Sequence, residues 1–333
     1  MYVVHNAMEG QAPMRASRFL FAALLFLQLG VATAQDFPNK AVRVIVPYPP
    51  GGLSDLIARP IGQKLSEMWG QSVIVENRSG ASGMIGTEVV AKSAPDGYTL
   101  LVGTLSEVAV NLLLFKSMPY DPLADLQPIT QVAYSPLVLM VHPSMPVKSL
   151  EDLVALARAK PGTISYASIG RGTPHHFAGE LMSSMLHLKM VHVPYKGGGP
   201  ALADMVGGHV RVGFVSLTSA MSNVKQGRLN ALAVTSMQRS ESLNVPTMNE
   251  AGLSGFDITQ WLGIFVAAKT PAEIANKLNR DIVAVVRSTE FRNRMADLGT
   301  GTVGGTPQEL ARLQAAEIEK YRAIAAAAGI VPE

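Results

Sequence analysis

The sequence predicts an α/β protein of two domains built on parallel sheets. Three observations predict it. Short runs rich in valine and isoleucine alternate with longer segments of helical period, the pattern of repeated strand–helix units. Four of the strand-to-helix turns are rich in glycine. Roughly 300 residues follow an N-terminal leader, more than a single core of ordinary size organises, yet no low-complexity linker divides them. Strands that cross between two domains reconcile the size with the missing linker. The crossings are expected near Val132–Pro136 and Thr259–Ala267, which puts residues 35–133 plus 260–333 in the first domain and 134–259 in the second.

The leader comes first. Arg15 and Arg18 precede an apolar run from Phe19 to Val31, and Ala32-Thr33-Ala34 follows. A positive start, a short apolar run and a small-x-small site read as a secretory signal, residues 1–34, cut after Ala34. Met14 stands directly before the arginines and is an alternative start. The apolar run is shorter than the ~20 residues that a membrane-spanning helix needs. Loss of this segment removes two arginines and one glutamate from a formal charge of +3, so the mature chain stays near neutral. That balance excludes a nucleic-acid partner or a charged membrane surface as the basis of function. Cysteine is absent. An exported chain without disulfides has to stand on its core alone, and thiol chemistry, Fe–S clusters and cysteine zinc sites are excluded.

Taken in order, Val42–Tyr48 reads as a buried strand ended by Pro-Pro-Gly-Gly. Ser54 to Trp69 follows with Leu56, Ile57, Ile61, Leu65 and Met68 on one helical face, and Pro60 is expected to kink it. Ser72–Glu76 is a strand, a loop over 77–83 leads to a helix near Ile85–Lys92, and Tyr98–Val102 is a strand before a helix reaching about Phe115. Leu137–Val141, Ile164–Ala167, Val191–Pro194, Val212–Val215 and Ala231–Thr235 read as strands. Leu150–Lys160, Pro174–Leu186 and Pro200–Val206 read as helices. Two helical segments close the chain, Ala272–Leu298 with a break at Ser288-Thr289, and Pro307–Ala326.

The four glycine-rich turns are Pro50-Gly51-Gly52, Gly103-Thr104-Leu105-Ser106, Gly170-Arg171-Gly172-Thr173 and Gly197-Gly198-Gly199. In open α/β sheets ligands sit outside the carboxyl ends of strands. Helix N-termini offer unpaired N–H groups and a partial positive charge, and glycine permits close backbone approach. The favoured guest is a small anion, a carboxylate or a phosphate. Ser54, Thr104, Ser106, Ser168 and Thr173 stand beside these turns as hydroxyl donors, or as helix caps. Asp55 either complements the helix dipole or accepts from a ligand. His176 reads as a hydrogen-bonding residue at a helix start, or as a structural histidine.

No cofactor or metal is expected. His175 and His176 are adjacent and diverge on a helix, and His187, His192 and His209 lack chelating spacing. The nucleophile-elbow, P-loop and dinucleotide fingerprints are missing. A catalytic reading would rest on a spatial pair such as Ser168 with His176.

The run PYPPGGLSD, then VENRSGASGMIGTEVVAKSAPDGYTLLVGT, resembles the Bug extracytoplasmic solute receptors, the binding proteins of tripartite tricarboxylate transporters. The likeness continues through YASIGRGTPHHFAGEL, VPYKGGGPALADMVGGHV and VPTMNEAGLSGFDITQWLGIFVAAKTPAEI, over essentially the whole chain from Phe37. It implies a two-domain periplasmic-binding-protein (Venus flytrap) fold that closes on a small carboxylate, without catalysis, and hands it to two integral-membrane permease subunits. A monomer in the periplasm is expected. The resemblance assigns a ligand carboxylate to the loop Tyr48 to Asp55, including Gly51 and Gly52, largely through backbone groups and waters. It assigns further contacts to Ser168–His176, including Gly170, and to Tyr195–Gly198, including Gly197. Departures fall at Arg211, at Val215-Ser216 where many members have Asp-Asn, and at Arg171, which would meet a second carboxylate if it faced the cleft. A receptor presenting its ligand to a sensor, and an exported hydrolase in the same cleft, are the alternatives.

Overall fold

The computed structural model describes residues 1–3, 5, 37–195, 197–240 and 242–332. Of the predicted leader only residues 1–3 and 5 are described; its apolar run, the cleavage after Ala34 and the alternative start at Met14 lie outside the described residues. Two compact units are distinguished, Met1–Asn39 and Lys40–Glu333. The described residues of the first contain no helix or strand. Among the described residues no helix is long and apolar enough to cross a membrane.

Within Lys40–Glu333 the strands are β1 (Val42–Val46), β2 (Val73–Asn77), β3 (Thr99–Thr104), β4 (Leu126–Val141), β5 (Ser165–Ser168), β6 (Val191–Pro194), β7 (Val212–Ser216), β8 (Asn230–Val234), β9 (Thr259–Ala267) and β10 (Gly301–Thr302). They follow one hydrogen-bonded path, β2-β1-β3-β9-β4-β7-β5-β6, with β8 and β10 paired to β4. The parallel expectation holds for β1 with β2 and β3 and for β5 with β6 and β7. The strands that join these two sets are antiparallel, β9 to β3 and β4 to β9, β7 and β8.

β4 makes the crossing. It is 16 residues long; Leu126–Pro136 pair with β9, and Leu137–Val141 pair with β7 and β8. The sequence reading has a strand at Leu137–Val141 and a crossing near Val132–Pro136, and misses Leu126–Gln131. The first half contains Pro128 and the polar Gln127, Thr130 and Gln131, and the register shifts at Pro128/Thr130 and again at Gln131/Ala133. Proline lacks a donor and is tolerated in a sheet at such a bulge.

The helices are α1 (Leu53–Trp69), α2 (Met84–Ala91), α3 (Leu105–Val108), α4 (Leu150–Ala159), α5 (Pro174–Leu186), α6 (Gly198–Val206), α7 (Leu217–Lys225), α8 (Ala272–Arg287), α9 (Thr289–Asp297) and α10 (Pro307–Ala327). Local chemistry sets their ends. Ser149 with Asp152 and Thr306 with Glu309 form reciprocal capping boxes, Pro174 and Pro307 open their helices, and Gly70 closes α1 in the left-handed region. α1 runs unbroken through Pro60. The helix expected from Ser106 to Phe115 is a four-residue turn, α3, followed by a 3-10 segment at Val110–Leu113. Ile45, Leu101, Leu139, Phe177, Phe214, Phe265 and Tyr321 are fully enclosed between the sheet and its helices.

Candidate functional site

The β1–α1, β3–α3, β5–α5, β6–α6 and β7–α7 turns open onto one cavity of about 720 Å³. One wall comes from Tyr48, Pro49, Pro50, Gly51, Gly52 and Ser54, from Thr104 and Ser106, and from Gln260, Trp261 and Leu262 on β9. The facing wall comes from Ile169, Thr173 and His175, from Gly197 to Gly199, and from Ser216, Thr218 and Ser219. Leu202, Val215 and Leu298 make it partly apolar. Among the described residues, no lysine, arginine, aspartate or glutamate side chain lines it. The described lining offers backbone N–H groups, hydroxyls and helix ends.

The β1–α1 loop is braced from behind. Asp55 accepts the Gly51 N–H at 3.0 Å, Arg59 at 2.8 and 3.0 Å, and the Asn77 amide at 3.0 Å. The same Asn77 amide donates to the Tyr48 carbonyl at 3.0 Å. Burial pushes the Asp55 carboxyl up, but the bonds from Arg59, Gly51 and Asn77 outweigh it and hold the group below its ordinary value. Gly51 has φ +85°, a conformation that side-chain-bearing residues rarely adopt, and a Cβ there would meet nothing within 4 Å. At Gly52 an added Cβ would meet only the Pro49 carbonyl, at 3.8 Å. Both glycines turn bare backbone to the cavity. The first-turn N–H groups of the 17-residue α1 have no intrahelical partner and point the same way. Gly197 and Gly198 repeat this on the facing wall at the start of α6, again with open space where a side chain would stand.

Nine of the fifteen sequence candidates line the cavity: Tyr48, Gly51, Gly52, Ser54, Thr104, Ser106, Thr173, Gly197 and Ser216. Six do not, and each has another task. Asp55 is the brace just described. Ser168 is fully buried; its hydroxyl donates to the Gly170 carbonyl at 3.1 Å and lies 2.6 Å from His192 Nε2. Gly170, at φ +139°, shapes that turn and accepts the Thr173 hydroxyl at 2.7 Å. His176 Nδ1 accepts the Gly172 N–H at 3.2 Å, and its ring stacks on His192 at 4.0 Å. Burial above all, with His192 and Arg171 adding to it, lowers the His176 pKa to about 3. Tyr195 donates its hydroxyl to Asp204 at 2.7 Å. Arg171 is exposed and does not line the cavity; its charge lies near the His176 and His192 rings, whose pKa values it helps to lower. The Ser168–His176 pair is not formed either, since the serine's imidazole partner is His192.

Sequence reasoning missed several lining residues. Thr218 and Ser219 begin α7, whose turn after β7 has no glycine to mark it. Gln260 and Trp261 belong to a crossing strand, read for topology and not for contact. His175 is 2% exposed at the cavity edge, with the Gln260 amide 3.4 Å from its ring nitrogens. Burial pushes its pKa down to about 3, so it faces the cavity neutral.

Two α/β sets joined by crossing strands, with a cleft walled by turns of both, define a solute-binding protein of the periplasmic type. The family model for the "Tripartite tricarboxylate transporter family receptor" matches residues 57–330. The chain belongs to that family and is a solute-binding receptor. It is 36% identical over 326 residues to Protein BugT of Bordetella pertussis, covering 96% of this chain and 98% of that one. Among solved structures it resembles R. palustris Rpa4515 with adipate, at TM-score 0.82 and 36% identity over 90% of this chain and 100% of that one. MatC from Rhodopseudomonas palustris with bound malate aligns at TM-score 0.76 and 30% identity, over 86% of this chain and 99% of that one.

Proposed function

We propose that this receptor captures a small carboxylate in the cleft, closes over it and releases it unchanged to a pair of integral-membrane permease subunits. The observation that carries this reading is the pair of facing glycine turns, Pro50–Gly52 and Gly197–Gly199, each opening a helix onto the same cavity. Relatives solved with adipate and malate support the ligand class. The hydrolase alternative loses support because Ser168 is sealed from the cavity.

Two further readings accompany this one. The chain acts after export and cleavage following Ala34, as a monomer in the periplasm. Its hinge divides residues 35–133 plus 260–333 from 134–259; the change of β4 partners between Pro136 and Leu137 supports that boundary. A ligand that touches both halves binds the closed state better and shifts the population toward it.

A thermal-shift screen of the chain from Gln35 tests the reading, with adipate, malate, citrate and benzoate beside their neutral amides. A ligand at ~100 times its Kd adds about 2.7 kcal/mol, which raises Tm by several degrees. Carboxylates that stabilise while the matching amides do not are the expected result. Stabilisation by the amides alone would overturn the reading.

A further inference from the structure

One carboxylate lies directly behind the cavity wall. Glu107 is completely buried. Its Oε1 accepts the Thr104 N–H at 2.5 Å. Its Oε2 accepts the Thr104 hydroxyl at 2.6 Å and the Tyr48 hydroxyl at 2.8 Å. Those two hydroxyls are 3.3 Å apart, and both residues line the cavity. A 3-10 turn closes over the group at Gly83, where an added Cβ would come within 3.2 Å of both Glu107 Oε2 and the Tyr48 hydroxyl.

A hydroxyl carries one hydrogen and two lone pairs. With Glu107 ionised, the hydrogens of Tyr48 and Thr104 both point at Oε2; Thr104 Oγ1 also accepts the Ser106 N–H at 3.3 Å, and the pair offers no hydrogen to the cavity. That polarity repels an anion, and the buried negative charge behind it adds to the repulsion. With Oε2 protonated, Glu107 becomes a donor, and one of the two hydroxyl hydrogens is released to face the guest.

Among the described residues no cation shifts the Glu107 carboxyl. The titratable groups against Glu107 are Tyr48 and Tyr120, whose hydroxyl donates to the Glu107 carbonyl at 2.7 Å. The 3-10 segments Ala81–Gly83 and Val110–Leu113 contribute no titratable side chain, and β9 contributes none. On α10, Glu309 bonds Thr306 with the exposed Arg312 near it, Glu317 pairs with Lys320, Arg322 pairs with Glu319, and Gln314 reaches the Val108 carbonyl.

We propose that Glu107 is a positioning residue for the anion site: it takes up a proton from solvent when an anion enters, and so turns a Tyr48 or Thr104 hydroxyl from acceptor to donor. The inference rests on the carboxylate reading of the cleft. In the empty protein burial raises the Glu107 pKa to about 7, against the bonds from Thr104 and Tyr48 that lower it, so the exchange falls in the physiological range.

Calorimetric titration with adipate and with malate, at pH 7 and pH 8 in phosphate and in Tris, counts the protons. Both probes are fully ionised there. The expected uptake at pH 8 is about 0.9 proton per anion, with Kd about fivefold weaker at pH 8 than at pH 7. Glu107→Gln keeps an acceptor for the Thr104 N–H and supplies a donor to the hydroxyls. It is expected to bind without proton uptake and with a Kd independent of pH. The wild-type proton count carries the test even if that variant folds poorly. Binding of either probe with no uptake overturns this inference alone, as does a Glu107→Gln protein that keeps the wild-type pH profile. Failure of both probes to bind at either pH overturns the carboxylate reading itself, and this inference with it.

Discussion

Asp55 serves the cleft without lining it, because the side chains and the N–H that it accepts from fix the loop that does. The sequence offered two roles, dipole partner or ligand acceptor, and the packing adds a third. Replacement by alanine removes the acceptor from the Gly51 N–H and the Asn77 amide together, a loss of ~1–3 kcal/mol in loop order. The expected outcome of Asp55→Ala is weaker carboxylate binding by about tenfold, read by calorimetry, with the ligand-free Tm lowered as well. Glycine at 52 makes the opposite prediction. Its backbone conformation suits any residue and its side-chain space is open, so Gly52→Val should leave Tm unchanged while it fills the anion's approach. Glu107 adds a dependence on pH. Its pKa is raised in the fold, so it favours folding at low pH, and that contribution disappears as pH rises from 4.5 through about 7. Denaturant melts should therefore show the stability of Glu107→Gln relative to wild type improving by about 2–3 kcal/mol between pH 5 and pH 8.

At the scale of elements, glycine serves two ends that the sequence does not separate. In the β1–α1 and β6–α6 turns it bares backbone to the cavity. At Gly86 in α2 it allows close packing, since a Cβ would fall 2.7 Å from the Arg78 carbonyl and 2.8 Å from Pro47 Cα. Both obstacles are backbone or ring atoms that cannot swing away. Gly86→Ala is expected to cost ~1–3 kcal/mol in a denaturant melt, against the helix-propensity gain that alanine gives elsewhere. The turns after β3 and β5 read alike in sequence but differ in the fold. Gly170-Arg171-Gly172-Thr173 leads into the 13-residue α5, whereas the turn at Thr104, although closed by a capping box with Glu107, opens only four residues before Ala109 leaves helical geometry. The β5–α5 turn also leans on a histidine stack. His176 and His192 are held neutral, with pKa values near 3 and 4, chiefly by burial and partly by Arg171. Their contribution to stability is complete above about pH 6.5 and is lost as pH falls toward those values. The histidines and Glu107 thus favour opposite ends of the scale, which places the stability maximum of the empty protein on the acid side of neutrality.

At the scale of the molecule, the α/β class, most strands and the order of helices were legible because valine and isoleucine runs and helical spacing are local signals. Pro174–Leu186, Val191–Pro194 and the break at Ser288 stand where periodicity put them. The start of β4, Leu126–Gln131, was not legible, because it carries polar residues and a proline, and its identity as a strand depends on partners far away in sequence. α7 was not legible because LTSAMSNVK is short and poor in apolar residues and has three serines or threonines that favour non-helical conformations. For the cleft, turns marked by glycine were found, while Thr218, Ser219 and Gln260 come to it only through the tertiary fold. Ser168 and His176 looked like contacts because they flank a glycine turn, yet both point into the β5–α5 packing.

The central claim is that one carboxylate is held from both walls of the cleft by backbone at Gly52 and Gly198. Calorimetric titration of adipate and malate into the wild type, Gly52→Val and Gly198→Val tests it most directly. Both positions have open side-chain space and neither requires a left-handed conformation, so both variants should fold with the wild-type Tm. The account predicts that the wild type binds at least one of the two acids and that each valine alone weakens it by tenfold or more, about 1.4 kcal/mol. Wild-type affinity in both variants would contradict it, and would place the anion away from these two turns.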